Sequence, residues 1–166
     1  MLDPELIRKA DRVWESYCKH ADSFAAPPHS WEARRAIRRS VKQEGYVEAG
    51  AGAYRVAYLV EHNGLKYVVK VGEPDHNRRD ALAAADPAKR MLPLVGHHPK
   101  YAWVMFPHAS VVQRLRDEFL PRDVGLDHDR WSDALASLPT YYDQHDGNIC
   151  VWDPGTGPEL FYLERA

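Results

Sequence analysis

Cysteine is scarce in this sequence: Cys18 and Cys150 stand alone and far apart. Two such thiols supply neither a disulfide framework nor a zinc-ligand spacing, which suits a reducing cytoplasm. Long hydrophobic runs are missing as well. No stretch approaches the roughly 20 apolar residues of a membrane-spanning helix, and the opening MLDPELIRKADR lacks the pattern of a signal peptide. Charge of one sign is not in excess. With 22 Lys and Arg against 24 Asp and Glu the formal charge is -2, which argues against a protein that coats nucleic acid. There is no internal repeat and no low-complexity tract. What is present is a chain of 166 residues, 45% of them hydrophobic, enough to bury a core as one domain or as a small domain with an extension.

The first segment reads as a helix. Asp3 is placed to cap it with Pro4 at its first position, and Leu6, Ile7, Ala10, Val13, Trp14, Tyr17, Cys18 and Ala21 recur at helical spacing. FAAPPHS (24–30) breaks it. A second helix is expected from Trp31 to about Gln43. Arg34, Arg35, Arg38 and Arg39 form a basic stripe on it, either a solvated face or a contact for phosphate or an acidic partner. After Gly45 the character changes. AYRVAYLV and LKYVVKV flank an Asn-Gly dipeptide, the strongest short-range hairpin signal. A helix around NRRDALAAA follows, then a strand YAWVMF (101–106). Helical stretches are expected around 109–119 and 127–137, with Trp131, Leu135 and Leu138 on one face. Asp127, His128 and Asp129 suit a helix start, and His97-His98 before Pro99 reads as a surface turn. Two strands, ICVW and LFYL, separated by the turn DPGTGPE, end the chain. The order predicts an α+β fold.

Two stretches carry chemistry. In GAGAYRVAYLV, Gly50 and Gly52 lie just before a strand whose hairpin partner delivers Lys70. Glycines let a backbone approach phosphates closely, and a lysine on the paired strand adds a point charge; a plain turn is the other reading. The loop is not a Walker A motif, because no Gly-Lys-Ser/Thr follows. In YYDQHDGNICVWD, Asp143, His145, Asp146 and Asn148 crowd into six positions. The terminal hairpin would bring Asn148 near Glu164, so that Asp143, Asn148 and Glu164 converge. Such oxygen ligands suit Mg²⁺ beside substrate phosphates, and an Asp there can receive a hydroxyl proton. A metallohydrolase built on Asp143, His145 and Asp146 is the competing reading, but no second ligand cluster of matching spacing exists.

On these residues the chain resembles the protein-kinase-like fold, and most of all its aminoglycoside phosphotransferase-like branch and small phage kinase-like proteins. DQHDGN (143–148) matches the catalytic-loop pattern Asp-x-His-x-Gly-Asn without a gap. GAGAYRVAYLV resembles the glycine-rich loop, with Arg55 in place of the third glycine. YVVKV resembles the strand of the nucleotide lysine, and YAWVMFPHA the strand and hinge that cradle adenine. The resemblance runs in order over residues 45–164. It implies a minimal two-lobed fold: an N-terminal helical extension (1–43), a strand-rich nucleotide-binding lobe (44–106) and a reduced, truncated helical lobe (107–166), since two residues follow Glu164. By position it implies Asp143 as catalytic base, and Lys70 on the α- and β-phosphates with Asp80, or else Glu73, as its ion-pair partner. Gly50 and Gly52 would lie at the nucleotide, Phe106 and His108 would offer backbone groups to the base, and Asn148 and Glu164 would hold Mg²⁺. Glu164 stands where the family has Asp.

Two functions follow as expectations. One is an ATP- and Mg²⁺-dependent phosphotransferase of unassigned acceptor, working in the cytoplasm, or in a host's if phage-encoded. The other is a pseudokinase-type binding module that grips a protein partner or a second copy of itself. The catalytic triplet Lys70, Asp143 and Asn148 favours the first; Glu164 and the short helical lobe favour the second.

Overall fold

The computed structural model describes residues 2–23, 30–111, 128–139 and 149–163. It is a mixed α+β protein with a five-stranded antiparallel sheet, a three-stranded sheet and four helices among these residues. The chain divides into two compact units, Met1–Ala81 with Leu94–Pro107, and Leu82–Pro93 with His108–Ala166. The helices expected as a separate extension (1–43) therefore belong to the same unit as the strand-rich segment. No helix among the described residues is long and apolar enough to cross a membrane.

The first unit begins with α1 (Pro4–Asp22) and α2 (Trp31–Gln43), both bounded as the sequence suggests. Asp3 caps α1 by accepting from the Glu5 amide at 2.8 Å, and Ser30 caps α2 by accepting from the Ala33 amide at 3.2 Å. Next come β1 (Val47–Ala51), β2 (Arg55–His62) and β3 (Leu65–Gly72), then α3 (Pro74–Ala84), β4 (Gly96–His97) and β5 (Trp103–Pro107). The sheet order is β1-β2-β3-β5-β4. Asn63 and Gly64 turn the β2–β3 hairpin with φ of 51° and 76°, the left-handed pair that a two-residue turn of this kind requires.

Strand alternation then sorts the side chains onto two faces. Val56, Tyr58, Val60, Val69, Val71, Trp103 and Met105 face α1 and α2, where they meet Leu6, Ala10, Val13, Ile37 and Val41 in one core. Trp103 Nε1 donates to Asp11 of α1 at 2.7 Å, tying helix to sheet. The opposite face carries Arg55, Ala57, Val68, Lys70, Val104 and Phe106. On that side Asn77 of α3, fully buried, donates to the carbonyls of Tyr101 and Ala102 at 2.9 and 3.2 Å and so fixes the helix to the sheet's end.

The second unit holds β6 (Ser110–Val111), α4 (His128–Ser137), β7 (Ile149–Trp152) and β8 (Glu159–Tyr162), with sheet order β6-β7-β8. The terminal hairpin forms, but its second strand is ELFY (159–162), so that Ile149 lies opposite Tyr162 and Trp152 opposite Glu159, one residue from the pairing of ICVW with LFYL read from the sequence. Its turn is closed by Asp153, whose carboxylate accepts from the amides of Gly155 and Gly157 at 2.7 and 2.9 Å. Ser110 and Val111 pair with β7, so the start of the stretch expected to be helical at 109–119 is a strand. Residues 112–119 lie outside the described ones. His97, expected in a turn, lies in β4, exposed and stacked on Tyr101 at 4.8 Å.

Two side chains of the first unit generate predictions. Glu44, which ends α2, accepts from Ser16 at 2.5 Å and from Lys19 at 2.8 Å, and His20 stands 2.8 Å away, so it fastens α2 to α1. The hydrogen bond from Lys19, followed by those from Ser16 and His20, lowers its pKa from 4.5 to about 2. A depressed folded pKa contributes stability that is fully present above the unfolded value and is lost as pH falls toward the folded one. Thermal melts between pH 5 and pH 2 should therefore show a smaller acid-induced loss in Glu44→Gln than in the parent protein. The Tyr58 hydroxyl is buried without a hydrogen-bond partner among the described residues, and burial pushes its pKa up. Leaving such a group unsatisfied has a cost, so Tyr58→Phe should be neutral or stabilising by up to about 1 kcal/mol in urea unfolding.

Candidate functional site

The polar face of the first sheet gathers the charged side chains. Lys70 projects from the middle of β3 opposite Ala57, and Arg55 lies diagonally from it at the start of β2, opposite Gly72. Asp80 approaches from α3. Its Oδ2 accepts from Arg55 Nη1 at 2.7 Å and from Lys70 Nζ at 3.1 Å, with all three residues buried. Lys70 Nζ also lies 5.0 Å from the centre of the Phe106 ring, within cation–π range. Two cations, one carboxylate and an aromatic ring thus meet on one face.

The backbone is shaped to admit Arg55. Gly72 has a φ of +137°, and a Cβ there would lie 2.4 Å from the Tyr54 carbonyl and 2.9 Å from Arg55 Cα. Any side chain at 72 would push the start of β2 away from the site. Gly50 and Gly52 are different. Gly50 precedes β2 as expected but itself lies in a strand, β1, paired with Ala57 beside a bulge. Gly52 donates its amide to Arg55 O at 2.9 Å across the tip of the loop. Neither has positive φ, and an added Cβ would meet nothing nearer than 4.0 Å. The fold does not demand glycine at either place, so their bare backbone is open to close approach by a ligand.

The sites expected from the sequence fall into three groups. Lys70, Asp80 and Phe106 come together as described. Phe106 contributes its ring, and its peptide groups point to β3. Met105 O accepts from Val95 N at 2.9 Å and Trp103 O from His98 N at 3.0 Å on the opposite edge, and alternate residues of a strand face alternate edges. The same alternation turns the Pro107 carbonyl to the outer edge. His108, the next residue, is exposed. Glu73, the other candidate partner for Lys70, stands with Oε2 3.6 Å from His76 Nε2. Asp143, His145, Asp146, Asn148 and Glu164 lie outside the described residues. Among the described ones no three His, Cys, Asp or Glu side chains group to hold a metal.

Sequence reasoning missed the role of Arg55 and Asn77. The hairpin register already contained the signal for the first: with Ala57 opposite Lys70 and Gly72 opposite Arg55, both cations share a face. The basic stripe on α2 is more than a solvated surface. Arg38 is in a bidentate ion pair with Glu48, Arg34 donates to the Ala53 carbonyl, and Arg35 lies over the Trp31 ring at 5.2 Å; Arg39 is exposed. No protein-family model matches the chain, and no curated protein matches it.

The shared carboxylate predicts an order of mutational effects. Removing one partner of a buried ion pair leaves an uncompensated charge and costs about 3–5 kcal/mol, whereas apolar groups of similar volume are tolerated better. In urea unfolding, Asp80→Asn should be more destabilising than Lys70→Met, because Asp80 keeps Arg55 when Lys70 is lost, while Asp80→Asn takes the shared carboxylate from two cations at once. Equal losses in the two variants would mean that Asp80 does not anchor this cluster.

Proposed function

We propose that the protein is an ATP- and Mg²⁺-dependent phosphotransferase of minimal kinase-like, two-lobed fold. The observation that carries this reading is the Lys70–Asp80 ion pair, 3.1 Å long and buried. A lysine held in the middle of an antiparallel sheet by a carboxylate from the following helix is pre-oriented as a fixed charge for phosphate oxygens. Arg55 adds a second cation beside it. The bare backbone at Gly50 and Gly52 suits the approach of a polyphosphate, so the described residues fit the nucleotide. The edge after Phe106, at Pro107 and His108, would offer backbone groups to the base. Asp143 would accept the acceptor's hydroxyl proton, and Asn148 and Glu164 would hold Mg²⁺, which neutralises developing charge on the phosphates.

One observation favours the pseudokinase-type module instead: Arg55 stands closer to Asp80 than Lys70 does, at 2.7 against 3.1 Å. An arginine that engages the carboxylate more tightly competes with the lysine for it.

Equilibrium binding of ATP with Mg²⁺, together with ATP turnover, tests the reading. Lys70→Ala should weaken nucleotide binding. Asp143→Ala should bind normally yet lose about 10²- to 10⁴-fold in rate, because a general base acts mainly in the transition state. Gly52→Ala should change stability by less than about 1 kcal/mol while weakening nucleotide binding. Nucleotide binding without turnover in the parent protein would select the binding module, and no nucleotide binding at all would sink the phosphotransferase reading.

A further inference from the structure

A cavity of about 690 Å³ lies between α1, α2 and the β1–β2 loop, lined also by Gly72, Glu73 and Pro74. Of the cluster described above only Arg55 belongs to its lining, and Lys70, Asp80 and Phe106 do not. Its volume falls within the roughly 300–1,000 Å³ of small-molecule sites. Four arginines contribute to it: Arg34, Arg35, Arg38 and Arg55. Arg38 is paired with Glu48 and Arg55 with Asp80. Arg34 and Arg35 have no carboxylate partner among the described residues. Arg34 is held at the Ala53 carbonyl, and Arg35 lies over Trp31, itself 65% exposed. The aromatic share of the lining is large. Trp14 and Tyr17 stack at 6.2 Å with an interplanar angle of 19°, and Tyr54 is exposed on the loop side.

We propose that this cavity is a binding site for a small planar phosphate, meaning an aromatic or heteroaromatic ring that carries a phosphate group. Planar guanidiniums present several donors in a fixed fork that matches phosphate oxygens, and exposed indole and phenol rings supply faces on which a second ring stacks. Asp22 and Glu73 also line the cavity, with His76 3.6 Å from Glu73. Carboxylates in the lining work against a bare polyanion and favour a ligand whose phosphate is only one end of it. The ring, with or without N–H donors of its own, occupies the aromatic side, and the phosphate meets Arg34 and Arg35. Trp31, Arg34 and Arg35, which the ligand would meet, are assigned to neither nucleotide nor metal, although Gly52 and Arg55 also line the cavity.

Calorimetric titration of the full chain with phenyl phosphate tests it. Saturable binding is expected. Arg34→Gln and Arg35→Gln should each weaken it by about 10-fold or more, the effect of losing a charge-assisted hydrogen bond, with thermal melts showing that both variants still fold. Trp31→Ala, which removes a ring and no charge, should weaken phenyl phosphate and leave inorganic phosphate unaffected. Lys66→Ala, which removes an exposed lysine outside the lining, should leave phenyl phosphate affinity unchanged within about twofold, since a direct phosphate contact is worth more than that. No saturable binding by the parent protein would overturn the proposal, as would full retention of binding in both arginine variants. Inorganic phosphate binding as tightly as phenyl phosphate would overturn the ring's part in it.

Discussion

The two-residue turn at Asn63 and Gly64 decides which residues of β2 face which residues of β3, and both halves of the first unit depend on that register. With Ala57 opposite Lys70, every odd-numbered β2 residue from 55 shares a face with Lys70, and every even-numbered one shares a face with Val69 and Val71. A slip of one residue would carry Tyr58 and Val60 to the polar side and Arg55 into the helices. The apolar face needs α1 and α2 to cover it, and the polar face needs Asp80. The helical layer and the ionic cluster are thus two consequences of one pairing.

Asp80 completes what the register begins. Two cations placed on one sheet face repel each other, and burial strengthens that repulsion because the surrounding dielectric is low. A carboxylate whose single oxygen meets both turns the repulsion into a shared contact. For this α3 must sit at a fixed height on the sheet, and Asn77, one turn earlier, sets it through the carbonyls of Tyr101 and Ala102. Gly72 has the complementary role at the strand end, since its missing side chain is what lets the Arg55 backbone pass. Glycine at 72 serves packing, whereas glycine at 50 and 52 serves no packing need. The three positions look alike as letters and differ entirely in cause.

How much could be read from the sequence follows from how local each determinant is. The first helix was legible because its cap, Asp3, lies beside the apolar periodicity it starts, and the second because FAAPPHS marks a break just before it. The β2–β3 hairpin was legible from its Asn-Gly turn, and the β7–β8 hairpin from the Pro and Gly content of the longer turn between two neighbouring apolar runs. The pairing of Lys70 with Asp80 was reached through a family resemblance and not through spacing, since a strand residue and a helix residue ten positions apart carry no period in common. The two-residue strands β4 and β6 were not legible at all. Two residues contain no alternation, and both strands exist because a distant partner, β5 or β7, offers an edge. Arg55 was passed over for a related reason. A charged residue after a glycine-rich turn reads as solvated, and its burial is decided by a carboxylate 25 positions away.

Arg55 also joins the cavity to the ionic cluster. It is among the residues that line the cavity, and its guanidinium donates to Asp80, which in turn holds Lys70. A negative charge bound in that cavity would attract the Arg55 guanidinium and weaken its hold on Asp80 in the same measure. Asp80 would then have more of its charge to give to Lys70. Any such coupling is reciprocal, because a ligand that strengthens the Lys70–Asp80 pair at the expense of Arg55 must favour anion binding in the cavity by the same factor. One arginine would thereby make the cavity and the Lys70–Asp80 pair energetically dependent on each other.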